Sequence, residues 1–304
     1  SLCEQGRNFS NKIWNAFRLI KGWKIDDQLQ QSAGNAIANQ WFEAKFNEQL
    51  LLINDLYSKY RMSEALMSSY KLVWDDFCAW YLEMIKPEFV DGKSLPIDKK
   101  TFNECLTFFE NILKVLHPFV PFITEEIWHL IADRHEKDCI VVSSWPVAQN
   151  IQYEPLSEME LVTELITNIR NIRKQKNISP KEKIVLFEKS NAPLKAYNPL
   201  VTKLCNLEQY EYVNEKVENT YSFVLKQGEF YIPLQNNIDS AAEKARLSKE
   251  LEYNQGFLKS VQIKLSNEKF VANAKPELIA NERKKQADAE AKIKAIEEQL
   301  AALQ

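Results

Sequence analysis

The chain has 304 residues, which is enough for two or three domains with a sizeable hydrophobic core. Its 45% hydrophobic and 27% charged residues are typical of a soluble globular protein, and its formal net charge of −3 excludes a surface that is basic all over. Nucleic-acid binding would therefore depend on local basic patches, and a membrane span is excluded because no run approaches ~18 apolar residues.

The cysteines are odd in number, widely separated and never spaced as Cys-x-x-Cys: Cys3, Cys78, Cys105, Cys139 and Cys205. This spacing predicts no zinc site and no other metal ligands, and it favours reduced thiols in a cytoplasmic protein. The chain starts with Ser-Leu-Cys-Glu, which is neither a signal peptide nor an initiator methionine. We therefore interpret it as a fragment of a longer protein.

The first predicted element is a helix over residues 6–18. Its apolar residues Phe9, Ile13, Ala16 and Phe17 recur three to four apart, which places them on one face. The residues between them are long cations and amides: Arg7, Asn8, Asn11, Lys12, Asn15 and Arg18. Such side chains suit phosphate oxygens and base edges, but the stretch alone is equally compatible with the polar outer face of an ordinary helix.

Helical spacing of apolar residues continues to about residue 150, which predicts a bundle of antiparallel helices with a tryptophan-rich core. Trp14, Trp41, Trp74, Trp80 and Trp128 are expected mostly in that core. Pro118 and Pro121 fall within an apolar helical pattern, so we expect them to break it into two parts.

A different pattern begins near residue 156. One helix over 156–176 is followed by short strand-like runs at 184–187, 210–213, 221–225 and 229–234, the last two joined by a hairpin at Gln227-Gly228. This predicts a small α/β domain. From Asp239 onward, Leu247, Leu251, Asn254, Leu258, Val261 and Leu265 alternate four and three apart, and a second seam of the same period runs from Ile279 to Leu303. The two seams predict an antiparallel coiled-coil hairpin in which Asn254 sets the register.

Four segments, taken in order, resemble the C-terminal part of the valyl-tRNA synthetases, a family of class I aminoacyl-tRNA synthetases. They are Gly6–Arg18, Leu72–Glu83, Leu116–Trp128 and Leu265–Phe270. The resemblance implies a mainly α protein with three parts. These are a helical-bundle anticodon-binding domain at 1–150, a small α/β linker domain at 151–238 and a coiled-coil tRNA-binding arm at 239–304.

Catalytic residues are not expected in this chain. The class I signature of the His-Ile-Gly-His kind is absent, and Lys59–Glu64 only partly resembles the second signature, Lys-Met-Ser-Lys-Ser. No glycine-rich phosphate loop occurs, and Glu125 and Glu126 are expected to be helix N-terminal charge and solvated surface. The resemblance implies that valine activation with ATP and Mg²⁺, and the editing of mischarged threonine, belong to domains upstream of Ser1. No cofactor is expected in this fragment.

The resemblance implies a valine tRNA as partner, bound by a monomer. The face bearing Arg7, Asn8, Lys12, Asn15 and Arg18 is expected to meet the anticodon stem and loop, with Trp23 as an exposed aromatic that stacks on a base, unless Trp23 instead caps the bundle core. Residues 170–189 carry seven basic and two acidic side chains, and residues 259–285 carry seven and three. Backbone contacts are expected from Arg170, Arg173, Lys174, Lys264, Lys269, Lys275, Arg283 and Lys284.

Two alternatives are weighed against this interpretation. The first is the same region of an isoleucyl-tRNA synthetase, which typically ends in a cysteine-paired zinc module that this sequence lacks. The second is a helical or coiled-coil interaction module without an RNA partner. Such a module explains the bundle and the heptads, but it does not need cations and amides clustered on one helix.

Overall fold

The computed structural model describes residues 2–90, 92–149, 155–191, 193–226, 228–233, 240–267 and 276–302. The fold is mainly α with a small α/β part, as the sequence predicts. Two compact units are present, Ser1–Lys183 with Ala192–Tyr210, and Ile184–Asn191 with Glu211–Gln304. The finer division of the chain at residues 150 and 238 stays a prediction. None of the helices described is long and apolar enough to cross a membrane.

The first unit is a helical bundle. Its helices are α1 (Leu2–Lys21), α2 (Ala33–Ser58), α3 (Met62–Lys71), α4 (Leu82–Ile85), α5 (Lys99–Leu116), α6 (Pro121–Ile131), α7 (Pro155–Gln175) and α8 (Asn198–Cys205). Between α3 and α4 the chain forms a π-helical segment, Leu72–Tyr81, after which the Leu82 N–H donates to the Phe77 carbonyl five residues back. The predicted break of the helical pattern at Pro118 and Pro121 is confirmed, because α5 ends before Pro118 and α6 begins at Pro121.

Side-chain caps explain where two of the bundle helices, α2 and α5, start. The Ser32 hydroxyl accepts the Asn35 N–H at 3.1 Å before α2, and the Asp98 carboxylate accepts the Thr101 N–H at 2.8 Å before α5. Two pairs of two-residue strands, which the sequence did not predict, connect loops between the helices by backbone hydrogen bonds. β1 (Ile25–Asp26) pairs in parallel with β4 (Ile97–Asp98), and β2 (Phe89–Val90) pairs with β3 (Lys93–Ser94).

Aromatic side chains fill the centre of the bundle. Phe42 stacks on Tyr81 with ring centroids 4.6 Å apart, and Phe77 stacks on Phe109 at 5.6 Å. The Tyr81 hydroxyl is satisfied by the buried Asn39 amide oxygen at 2.7 Å. The prediction that the five tryptophans lie mostly in the core is wrong for three of them. Trp41 and Trp128 are in the core, whereas Trp14, Trp74 and Trp80 are half-buried.

A four-stranded sheet follows, with strand order β6-β5-β8-β7. Its strands are β5 (Ile184–Lys189), β6 (Leu207–Tyr212), β7 (Thr220–Leu225) and β8 (Gly228–Pro233). The predicted hairpin is confirmed, since β7 and β8 are antiparallel with Leu225 opposite Gly228. A Cβ at position 228 would lie 2.5 Å from the Lys189 carbonyl oxygen, so only glycine lets β5 approach this closely.

Two 27-residue helices, α9 (Ser240–Ser266) and α10 (Pro276–Ala302), complete the second unit. They pack on each other as the predicted coiled-coil hairpin, with Leu247, Val261, Ala289 and Ile296 buried in the seam. Asn254 is half-buried in this seam, but its amide donates to the Glu250 carbonyl of its own helix at 2.8 Å. The amide forms no hydrogen bond to the described residues of α10, so the structure does not support a register-setting role.

Candidate nucleic-acid interface

The outward side of α1 carries most of the polar side chains of this helix. Phe9, Ile13, Ala16, Phe17 and Ile20 are buried along the inner side, as their spacing predicts. Arg7, Asn8, Asn15 and Arg18 are all exposed, and we call these four residues the α1 polar face. The predicted orientation of the helix is therefore confirmed, with its cations and amides pointing to solvent.

The side chains of the α1 polar face do not contribute to the packing of the described part of the chain. None of its four side chains takes part in a hydrogen bond, ion pair or ring contact with another described residue. Helix packing fixes their backbone positions, while the polar ends stay available. Exposed guanidinium and amide groups in this arrangement can form bidentate hydrogen bonds with a base edge or a phosphate.

Lys12 differs from these four residues. Its side chain is half-buried, and its ammonium lies 5.4 Å from the centre of the Trp74 ring. Trp74 is itself stacked on Tyr70, with centroids 5.4 Å apart and planes inclined by 10°, and Tyr70 contacts Phe9 at 4.8 Å. Lys12 is therefore held against an aromatic ladder beside the α1 polar face.

Sequence reasoning missed this ladder as a surface feature, because Trp74 was assigned to the core. Tyr70 and Trp74 are half-buried, so their outer edges remain accessible next to α1. The sequence does contain a sign of this ladder: Tyr70 and Trp74 are four residues apart, which places both rings on one side of a helix. Aromatic rings beside cations are the usual elements of a surface that stacks on unpaired bases.

The prediction that Trp23 is an exposed aromatic is wrong. Its side chain is only 8% exposed, so it cannot serve as an open platform for a base. The chain turns at Gly22, whose N–H donates to the carbonyls of Arg18 and Leu19, and residues 25–26 then pair with 97–98. This pairing carries the indole into the interior, which is the core-capping alternative.

The basic stretch at the end of α7 contains a second correction. Arg173 is 5% exposed, and its guanidinium donates to the carbonyls of Ser179 at 2.9 Å, Cys205 at 2.8 Å and Asn206 at 3.2 Å. Burial lowers its pKa. Arg173 therefore holds the α7–β5 loop and the end of α8 together, and it cannot reach a phosphate.

Its neighbours remain suited to a phosphate contact. Arg170 is exposed, lies 5.5 Å from the centre of the Trp80 ring and makes a long bond to the Leu204 carbonyl at 3.4 Å. Lys174 is exposed and has no side-chain partner among the described residues. Exposed cations of this kind need only placement to bind a nucleic-acid backbone.

Cations also lie near the bend of the coiled-coil hairpin. Arg283 and Lys284 are exposed and unpaired within the described residues, while Lys264 lies 4.0 Å from the Glu282 carboxylate. Glu282 also accepts a 2.7 Å hydrogen bond from Lys285, and this bond is the main reason that its pKa is lowered. Lys269 and Lys275 lie outside the described residues.

Comparison with known proteins assigns both parts of the chain to described families. Residues 39–188 match the anticodon-binding domain of tRNA ligases, and residues 239–304 match the valyl-tRNA synthetase tRNA-binding arm. Helix α1 precedes the first match, so the role of its polar face depends on geometry and on the resemblance described above.

Whole-chain relatives agree with these matches. The chain is 49% identical over 303 residues to a valine–tRNA ligase of Phocaeicola vulgatus and 47% identical over 305 residues to one of Bacteroides thetaiotaomicron, each covering 100% of the chain. It is 35% identical over 309 residues, or 97% of the chain, to a valine–tRNA ligase of Enterococcus faecalis. The chain spans 34% to 35% of the length of these relatives.

Proposed function

Because the chain belongs to the valyl-tRNA synthetase family, whose C-terminal region it matches, we propose that it binds a valine-specific tRNA. The first unit meets the anticodon stem and loop, and the coiled-coil hairpin supports the outer corner of the same molecule. The longer protein joins valine to this tRNA with ATP and Mg²⁺, which bind in a domain that this chain does not include. We further propose that it acts as a cytoplasmic monomer.

The observation that carries this proposal is the α1 polar face. A helix that only needs to pack and stay soluble would pair its exposed cations with neighbouring carboxylates, as Lys59 does with Asp55 at 2.7 Å at the end of α2. The four residues of the α1 polar face have no such partners among the described residues. Two guanidinium and two amide groups then face solvent beside half-buried aromatic rings, which is the chemistry that reads unstacked bases.

The remaining cations supply contacts of a different kind. Arg170 and Lys174 on the first unit are exposed, and so are Arg283 and Lys284 on the second. Such positions carry no information about base sequence, but they position an RNA backbone and make binding depend on salt. The α1 polar face thus provides specificity, and these four cations provide affinity.

The direct test is binding of the full 304-residue chain to valine tRNA by fluorescence anisotropy. The comparison RNAs are the same tRNA with a changed anticodon and an isoleucine tRNA. We expect tighter binding to valine tRNA, with a logarithmic affinity that falls linearly with the logarithm of salt concentration. Equal affinity for all three RNAs would remove the anticodon contact, and absence of salt-dependent binding would refute the whole proposal.

A matched pair of arginines tests the α1 polar face itself. Arg7→Lys keeps the charge but loses the bidentate geometry, so it should weaken binding by about 1–3 kcal/mol and reduce discrimination between anticodons. Arg61 is the control, because it is exposed but already paired with Glu64. Arg61→Lys should leave both affinity and discrimination unchanged. Equal effects of the two substitutions would contradict the role of α1.

A further inference from the structure

The loop that follows α6 is fastened to that helix by several bonds. The Trp128 indole N–H donates to the Asp138 carbonyl at 2.7 Å, and the Ile140 N–H donates to both carboxylate oxygens of Glu125 at 3.2 and 3.1 Å. The Arg134 guanidinium lies 3.7 Å from the centre of the Trp128 ring. These contacts bring residue 139 back to the side of α6 that carries Glu125. Glu125 is therefore not solvated surface, as the sequence suggested, but half-buried.

Three metal-ligating side chains meet at this point. Glu125 and His129 are four residues apart on α6 and so share one face, with Oε1 of Glu125 3.2 Å from Nε2 of His129. Cys139 completes the group, in which one ligand atom from each residue lies within 4.8 Å of the other two. All three side chains are half-buried, which leaves them accessible to an ion from solvent.

We propose that Glu125, His129 and Cys139 bind a Zn²⁺ ion. Thiolate, imidazole and carboxylate are together a donor set that favours zinc, and a pair of ligands four residues apart on a helix is a common way to present two of them. Four-coordinate zinc needs only a water molecule as its last ligand here. The absence of Cys-x-x-Cys pairs predicted no zinc site, but this set comes from one helix and a loop ten residues further on.

Outer contacts already orient one of the ligands. The backbone N–H of Ile140 holds the Glu125 carboxylate, and such partners are what fix a ligand in place before the ion arrives. The bound ion would close residues 125–139 into a ring and hold the loop against α6. Because Lys21 at the end of α1 donates to the Leu130 carbonyl on α6, the metal would stabilise the helix on which the end of α1 rests.

The thiols of the chain allow a clean experiment. Cys78, Cys105 and Cys205 are buried, so Cys3 and Cys139 are the two accessible thiols. In a Cys3→Ser background the reduced, chelator-treated full chain should therefore show one thiol that reacts with a chromogenic disulfide. We expect Zn²⁺ to bind one-to-one by titration calorimetry and to protect this thiol. We also expect Co²⁺ to give a thiolate-to-metal charge-transfer band.

Substitutions identify the ligands. Cys139→Ser and His129→Gln should each weaken Zn²⁺ binding by at least about tenfold. Loss of a residue that only hydrogen-bonds to a metal ligand already weakens binding by about that factor, and loss of a ligand should cost no less. His135→Gln is the matched control, because His135 is exposed on the same loop and lies outside the ligand group. It should leave binding unchanged, and circular dichroism checks that each variant is folded.

Three results would overturn the proposal. One is the absence of stoichiometric Zn²⁺ binding, which would mean that the group is only a hydrogen-bonded cluster. Another is unprotected thiol and no cobalt–thiolate band in the Cys3→Ser protein, a result that does not depend on the folding of any ligand variant. The third is binding that survives both Cys139→Ser and His129→Gln, whatever the effect of His135→Gln.

Discussion

Arg173 and Lys174 are adjacent, both basic, and expected to respond to substitution in opposite ways. Arg173→Ala removes a buried guanidinium from the carbonyls of Ser179, Cys205 and Asn206. Lys174→Ala removes an exposed cation without a side-chain partner among the described residues. The first substitution should destabilise the protein and leave the salt dependence of RNA binding intact. The second should do the reverse.

The magnitude for Arg173 follows from its three contacts. A hydrogen bond to a charged group contributes about 1.5–3 kcal/mol, so three bonds give a gross loss of about 5–9 kcal/mol. Burying the guanidinium costs several kcal/mol, which the alanine variant recovers. We therefore expect a net loss of about 3 kcal/mol in the free energy of unfolding, or a decrease of about 6–12 °C in the melting temperature of a unit of this size.

Tryptophan fluorescence is a suitable assay, because all seven tryptophans lie at or before residue 145 and so report only on the first unit. RNA binding is then measured at several salt concentrations. Lys174→Ala should lower the slope of log affinity against log salt by about one, with an unchanged melting temperature. An unchanged melting temperature for Arg173→Ala together with a reduced salt slope would refute the structural role assigned to Arg173.

Three further predictions concern stability. Trp23→Ala should destabilise the first unit by about 3–5 kcal/mol in thermal melts, because it removes a buried ring, and an unaltered melting temperature would contradict the buried position. Burial raises the pKa of the Asp76 carboxyl from 3.8 to about 6. The folded protein is therefore most stable with this carboxyl protonated, so the stability is fully present below pH 3.8 and is lost as the pH rises through 6. Asp76→Asn should then stabilise the protein by up to about 3 kcal/mol at neutral pH and very little at pH near 4, and equal effects at both would refute this assignment. Asn254→Leu should stabilise the coiled-coil hairpin by about 1 kcal/mol in urea melts followed by circular dichroism, since the amide bonds only to its own helix, and a loss of stability would restore its role in the seam.

Periodicity predicted which side of each long helix is buried. The inner residues of α1 and the seam of α9 and α10 follow from spacings of three and four, because these repeats leave little choice about which side chains share a face. The hairpin at Gly228 and the break between Pro118 and Pro121 depend on local backbone restrictions and were equally predictable.

Periodicity did not predict contacts made across long stretches of chain. Arg173 is bound by carbonyls more than thirty residues away, and Trp23 is buried by a strand pair that joins residues 25 and 97. The burial of Arg173 could have been predicted from its spacing. It lies four residues after Ile169 and seven after Ile166, which places it on the buried side of α7. The group of Glu125, His129 and Cys139 had no such signal, because the loop that returns Cys139 to α6 follows no repeat.

Gly228 has a consequence for the root of the coiled-coil hairpin. β8 is an inner strand with neighbours on both sides, and it is the last strand before α9 begins at Ser240. A methyl group at position 228 would push the Lys189 carbonyl away and weaken the pairing of β8 with β5. Because β8 is the last strand before α9 in the chain, a single added carbon atom at position 228 would weaken the sheet that precedes the two long helices.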